Sequence, residues 1–223
     1  MHSTINILGV AGSMRADSYS TKALKIALEL VKKHGTEIRL LDLSKTVLSL
    51  RDPSLPVSEQ VKEVAKTVVG ADAFILASPD YHGSMSGTLK NFLDHFYKEF
   101  GGKLFGCIVA SHEKGLTTMD QMRTIMRQCY AWNMPYGVSV NGEQDFVNGQ
   151  LINTEVSMRL EMMTRDLVVY SRLIREQFAH DLETSEPVHL CGPLPGFTKT
   201  GMTYNQTVIS LSGYIKTWIR SQL

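Results

Sequence analysis

The stretch INILGVAGSMRADSYSTKAL, residues 5–24, changes character half-way along. Ile5 to Val10 is short, apolar, β-branched and broken by glycine, as a buried strand should be. Ser13, Arg15, Ser18, Tyr19 and Ser20 follow, and a helical pattern opens at about Thr21. Leu24, Ala27, Leu28 and Val31 share one face of that helix, which stops near Gly35. A strand that passes through a short polar turn into a helix is the opening of an alternating α/β chain.

The alternation continues. EIRLLDL (residues 37–43) reads as a second strand, and a connection holding Pro53 and Pro56 leads to a helix through Val61, Val64, Ala65 and Val68, ending at Gly70. AFILASP (73–79) is apolar almost throughout, as a strand covered on both faces must be. Leu89, Phe92, Leu93 and Phe96 mark an amphipathic helix, and KLFGCIVAS (103–111) a fourth strand. Thr117 with Asp120 suggests a capping pair for a helix running to about Tyr130. PYGVSV (135–140) makes a fifth strand, and a long helix is expected over 153–180. Right-handed crossovers place such helices on both faces of a parallel sheet, expected in the order 2-1-3-4-5. No internal repeat or low-complexity segment interrupts the chain. Beyond about Leu182 the pattern degrades: CGPLPGF is loop-like, and YNQTVISLSGYIKTWI reads as a short strand or helix. Residues 1–181 are therefore read as one domain and 182–223 as an extension too small for a core of its own.

Composition narrows the function. With 43% hydrophobic and 20% charged residues and a net charge of +1, the chain lacks the basic excess of a nucleic-acid binder. It equally lacks the acidity of many small electron carriers. No apolar run reaches the roughly 18 residues of a membrane span. The opening MHSTINILGV has no basic region followed by a long apolar core, so no signal peptide is expected. Cys107, Cys129 and Cys191 are far apart and odd in number, which suits reduced thiols in the cytoplasm. The pairs His34/Glu37 and His180/Asp181 are too sparse for a metal site, and none is expected.

In a doubly wound sheet, ligands bind beyond the carboxyl ends of the strands. The turn after the first strand offers hydroxyls, the Arg15 guanidinium and the free N–H groups of a helix start: an anion site, or else an ordinary polar turn with a serine cap. GxGxxG and GxxxxGK[ST] are both absent, so a terminal phosphomonoester fits better than a dinucleotide or triphosphate. The loop after the third strand, SPDYHGSMSGTLKNFLDHF from Ser78, brings planar Tyr81 and His82 beside Gly83, where backbone can approach a flat ligand. Its alternative reading is an exposed turn with incidental aromatics.

Together, GSMRADSYS and, about 60 residues on, SPDYHGSMSGTLKNFLD resemble the NAD(P)H-dependent FMN reductases, a family of flavodoxin-like proteins. That family shows a GSxRxxS-type phosphate loop and an SPxYxxSxxGxLKNxxD flavin loop. The resemblance implies that Ser13, Arg15, Ser18 and Ser20 bind the FMN phosphate, with Tyr19 at a variable position. It implies that Pro79, Asp80, Tyr81, His82, Gly83 and Ser84 line the isoalloxazine, partly through backbone N–H groups. Lys90, Asn91 and Asp94 belong to the same motif and read as structural, Lys90 and Asp94 being an i,i+4 pair. In the third loop, SHEKG from Ser111, the family often has a glycine-rich turn; His112, Glu113 and Lys114 replace it, leaving a backbone role for Ser111 and Gly115. His112 reads as a surface residue.

The resemblance implies a flavodoxin-like three-layer sandwich. It also implies an FMN enzyme that takes hydride from NADPH or NADH and passes it to flavin, quinone or similar small acceptors in ping-pong turnover. No side chain is assigned as catalytic, since the flavin carries the chemistry. The competing readings are a non-enzymatic carrier of the flavodoxin type and a phosphate-ligand binding module. A homodimer or homotetramer is expected, from the aromatic run Phe92–Phe100 and from the Met119, Met122 and Met126 face, which reads as core or subunit interface.

Overall fold

The computed structural model describes residues 4–183. Strands β1 (Asn6–Ala11), β2 (Glu37–Asp42), β3 (Ala73–Pro79) and β4 (Leu104–Ala110) are parallel and alternate with helices α1 (Tyr19–Lys32), α2 (Glu59–Gly70) and α3 (Gly87–Asp94). After α4 (Leu116–Gln128), β5 (Trp132–Asn133) and β6 (Val138–Val140) both pair with β4 in parallel. The strand order is β2-β1-β3-β4-β5, as expected, with β6 continuing the β5 edge.

The expected fifth strand over 135–140 is thus broken into two. Pro135 has no N–H to give the ladder. Asn133 pairs with Phe105 and Val138 with Ile108, so residues 134–137 stand opposite residues 106–107. The strand bulges there and resumes at Val138.

Alternate residues of each strand enter opposite cores, which is why the strands read as unbroken apolar runs. Leu8, Val10, Phe74, Leu76, Phe105 and Val109 pack under α2, α3 and α4 with Val61, Val64 and Met122. Ile7, Ala73, Ile75, Ala77 and Ile108 pack under α1 and the long α6 (Thr154–Glu183) with Leu24, Leu28, Leu160 and Met163. The three layers are complete with these helices. The extension read from 182 onward lies, beyond Glu183, outside the described residues.

Three expectations change. Helix α4 starts at Leu116 behind Gly115, which takes a left-handed φ of 58° and makes no side-chain cap, so Thr117 and Asp120 do not cap it. A Cβ on Gly115 would sit 2.5 Å from Val109 Cγ1; only glycine fits this corner. Phe92, Phe96 and Phe100 are buried in the chain's own core, with Phe100 against the stacked pair Phe74–Phe105. Met119, Met122 and Met126 are buried in the same core. Neither set is free to join subunits. Finally, α5 (Gly142–Asp145) and the hairpin β7–β8 (Phe146–Val147 and Gln150–Leu151) fill the segment between the expected fifth strand and the last helix, to which no element was assigned.

Lys103 stands partly buried just ahead of β4, and its ammonium donates to the carbonyls of Val68 and Val69 at 2.9 Å, closing the C-terminal end of α2. Burial pushes its pKa down from 10.5 to about 8. The folded chain therefore sheds this proton before the unfolded chain does. The cost of the buried charge is present below about pH 8 and is relieved as pH rises. Relative to Lys103→Met, wild type is expected to gain on the order of 2 kcal/mol between about pH 8 and 10. Urea unfolding of both proteins across that range reads it, and a difference that does not change with pH contradicts it.

Candidate functional site

The chain order reverses between β1 and β3, so their following loops open at the carboxyl edge of the sheet beside each other. The first loop, residues 12–18, holds Ser13, Ser18 and Ser20 buried at 2%, 4% and 0% exposure, hydroxyls and all. Ser18 precedes α1 but does not cap it; its hydroxyl pairs with that of Ser20 at 2.8 Å. The N–H groups of Tyr19, Ser20 and Thr21 consequently have no acceptor among the described residues. Arg15 is exposed and makes no ion pair with a described residue. The loop's one acidic residue, Asp17, is exposed and lies 3.9 Å from Lys22. This donor set is suited to an anion.

Tyr19 is spent on packing. Its ring lies against Phe146 at 5.3 Å, and Gly142 is pressed so close to it that a Cβ would come within 1.9 Å.

The second loop is a two-residue hairpin. Tyr81 N–H donates to the Ser84 carbonyl, and Ser84 N–H to that of Tyr81, across His82 and Gly83. Both central residues have positive φ, 57° and 75°, the geometry of a type I′ turn. Gly83 suits it; His82 is an unusual occupant. Asp80 braces the turn, its Oδ1 accepting from Gly83 N–H at 2.8 Å and its Oδ2 from the Ser111 hydroxyl at 3.1 Å. His82 N–H has no acceptor among the described residues. Tyr81 is half exposed, and Pro79 is partly buried at the exit of β3.

The third loop supports the second. Ser111 uses its N–H on Val140, its hydroxyl hydrogen on Asp80 and its oxygen on Glu113 N–H. Gly115 is buried at the start of α4. His112 is exposed. Lys90 and Asp94 form the expected pair on α3, while Asn91 holds the 48–51 segment through Leu48, Ser49 and Arg51.

Three residues that sequence reasoning missed tie these loops together. Ser86 caps α3 and donates to the Gly12 carbonyl at 2.5 Å, joining the first loop to the second. Gly12 has space for no side chain: a Cβ would meet Leu89 Cβ at 2.7 Å and the Ala77 carbonyl at 3.0 Å. Gln121 of α4 bonds both Gly83 and Ser84. Serine before an apolar helix was a readable cap signal; Gln121 had none.

Among the described residues, no activated thiol serves this edge. Burial pushes the Cys107 thiol up to about 12 and that of Cys129 up to about 11.

Residues 5–145, more than half of the chain, match the family model described as NADPH-dependent FMN reductase. The chain belongs to that family. It is an oxidoreductase that works with FMN and NAD(P)H. An FMN-dependent NADPH-azoreductase of Staphylococcus aureus (strain USA300) is 26% identical over 176 residues, 72% of this reductase and 92% of the relative. Among solved structures, an NADH:FMN oxidoreductase in its apo form superposes with a TM-score of 0.62 at 22% identity, covering 76% of this reductase and 89% of that chain. The flavoenzyme NAD(P)H:(acceptor) oxidoreductase of Paracoccus denitrificans gives 0.65 at 18%, covering 76% and 98%. A flavodoxin of Streptococcus pneumonia gives 0.52 at 15%, covering 75% and 99%, so the fold is shared with a flavodoxin and the family match is what separates the two.

Proposed function

We propose that this reductase holds FMN across the first two loops and turns over by a ping-pong scheme with a small organic acceptor. The observation that carries the reading is the pairing of a first loop whose serine hydroxyls are buried beside the free N–H groups of α1 with a braced hairpin, joined through Ser86 and Gly12. Ser13, Ser18 and Ser20, the N–H groups opening α1 and the Arg15 guanidinium would hold the phosphate. Pro79, Asp80, Tyr81, His82, Gly83 and Ser84 would carry the ring, with His82 N–H the donor left for it. Tyr19, Ser111 and Gly115 would act through packing and bracing and not as contacts. Bound there, FMN supplies hydride acceptance and return. The residues supply grip, orientation and a fixed N–H dipole where negative charge collects.

Quinones, azo dyes and free flavin are the acceptor classes. The exposed Tyr81 leaves one side of the hairpin open, which suits a site that donor and acceptor use in turn. Initial rates with NADPH and a quinone or azo dye are expected to give parallel double-reciprocal lines; lines that intersect contradict shared occupancy.

A homodimer or homotetramer is proposed on other grounds than the buried helices. Met158, Met162, Val169 and Leu173 form an exposed apolar stripe along α6. Light scattering at micromolar concentration decides it, and a monomer overturns it. The buried free thiols Cys107 and Cys129 support a reducing, cytoplasmic setting.

A further inference from the structure

The hairpin that carries the ring is held from behind by one side chain 37 residues away in sequence. Gln121 Nε2 donates to the Gly83 carbonyl at 3.2 Å, and Gln121 Oε1 accepts from the Ser84 hydroxyl at 2.7 Å. The amide can sit only this way round, because a carbonyl accepts and cannot donate. The Ser84 hydroxyl hydrogen is thereby committed to Gln121. With Gly83 N–H on Asp80 and the Tyr81 and Ser84 peptides on each other, these ties restrain the shape of the turn; among the described residues, it is Gln121 that ties its outer strand to α4. His82 holds a left-handed φ of 57° that its side chain disfavours, so the turn has a strained member to keep in place.

We infer that Gln121 is a positioning residue for the flavin ring: it fixes the Gly83–Ser84 backbone, and with it the unpaired His82 N–H, against α4. This rests on the reading that the hairpin carries the ring. Gln121 is half-buried and set back on α4, and no role as a contact to the reacting atoms is assigned to it.

Substitution separates the two hydrogen bonds. Gln121→Ala removes both. Gln121→Glu keeps an acceptor for Ser84, but an ionised carboxylate faces the Gly83 carbonyl with no hydrogen to offer. Protonated, the same carboxyl reproduces the donor and acceptor of the amide. Affinity for the ring in Gln121→Glu therefore improves as pH falls, while that of Gln121→Ala stays at a constant ratio to wild type.

FMN and riboflavin are titrated into the deflavinated full chain of wild type, Gln121→Ala and Gln121→Glu from pH 8 to pH 5, with thermal midpoints recorded alongside. Gln121→Ala is expected to weaken both flavins by the same factor, about tenfold. Gln121→Glu is expected to match that loss at pH 8 and to recover only in part at pH 5, where the carboxyl begins to protonate. Variants that bind both flavins as wild type does, or a Gln121→Glu defect that ignores pH, overturn the inference while the FMN reading stands. A wild type that takes up neither flavin overturns both. A loss confined to FMN would place Gln121 with the phosphate loop and overturn the inference as well.

Discussion

Arg15→Ala is expected to raise the FMN dissociation constant on the order of 10- to 100-fold while leaving riboflavin within about a factor of three. The two ligands differ only at the phosphate, so their ratio isolates the first loop. Arg15 is exposed, unpaired among the described residues and set in a loop whose other donors are buried hydroxyls and helix N–H groups. It is the loop's only full positive charge, and a charge-assisted bond of about 1.5–3 kcal/mol converts to that range. Ser18→Ala is expected to act in the same direction and less strongly, since its hydroxyl is shared with Ser20. Tyr81→Ala is expected to weaken both flavins alike. Equal losses for both ligands in Arg15→Ala would mean that the loop holds no phosphate.

Gly12→Ala is expected to lower the thermal midpoint by several degrees and to weaken both flavins. The added methyl meets a Cβ, Leu89, and a backbone oxygen, Ala77, neither of which can swing aside as a flexible side-chain end would. Overpacking of this kind costs about 1–3 kcal/mol, and each kcal/mol is about 2–4 °C for a domain of this size. The Ser86 hydroxyl also lies in the way, at 3.2 Å, so the strut between the two loops is pushed apart by the same methyl. Gly87→Ala is the control. Gly87 opens α3 with nothing within 4 Å of an added Cβ, and alanine is the better helix former. A Gly12→Ala protein as stable as Gly87→Ala would show that the loop yields.

The central strands were legible because both of their faces are buried, which writes an uninterrupted apolar run into residues 73–79 and 103–111. Their alternation with helices and the apolar third strand pointed to a parallel sheet covered on both faces. The edge was less so: Pro135 was counted into a strand that its missing N–H interrupts. The β7–β8 hairpin went unread although Asn148 and Gly149, with φ of 50° and 79°, are a standard signal for such a turn. The apolar faces carrying Phe96, Phe100 and Met122 were visible, but amphipathicity reports only that something covers a face. Here the chain's own core does. At the site, the two loops were readable as local motifs. Their connections were not, because Ser86 reaches Gly12 across 74 residues and Gln121 reaches Ser84 across 37. No local pattern encodes such a pairing.

The visible spectrum of the purified chain, reconstituted with FMN, desalted and then mixed anaerobically with NADPH, tests the central claim most directly. The expected result is a yellow protein that retains flavin through desalting and bleaches on adding NADPH. A colourless protein, or a yellow one that NADPH leaves unchanged, would contradict the account.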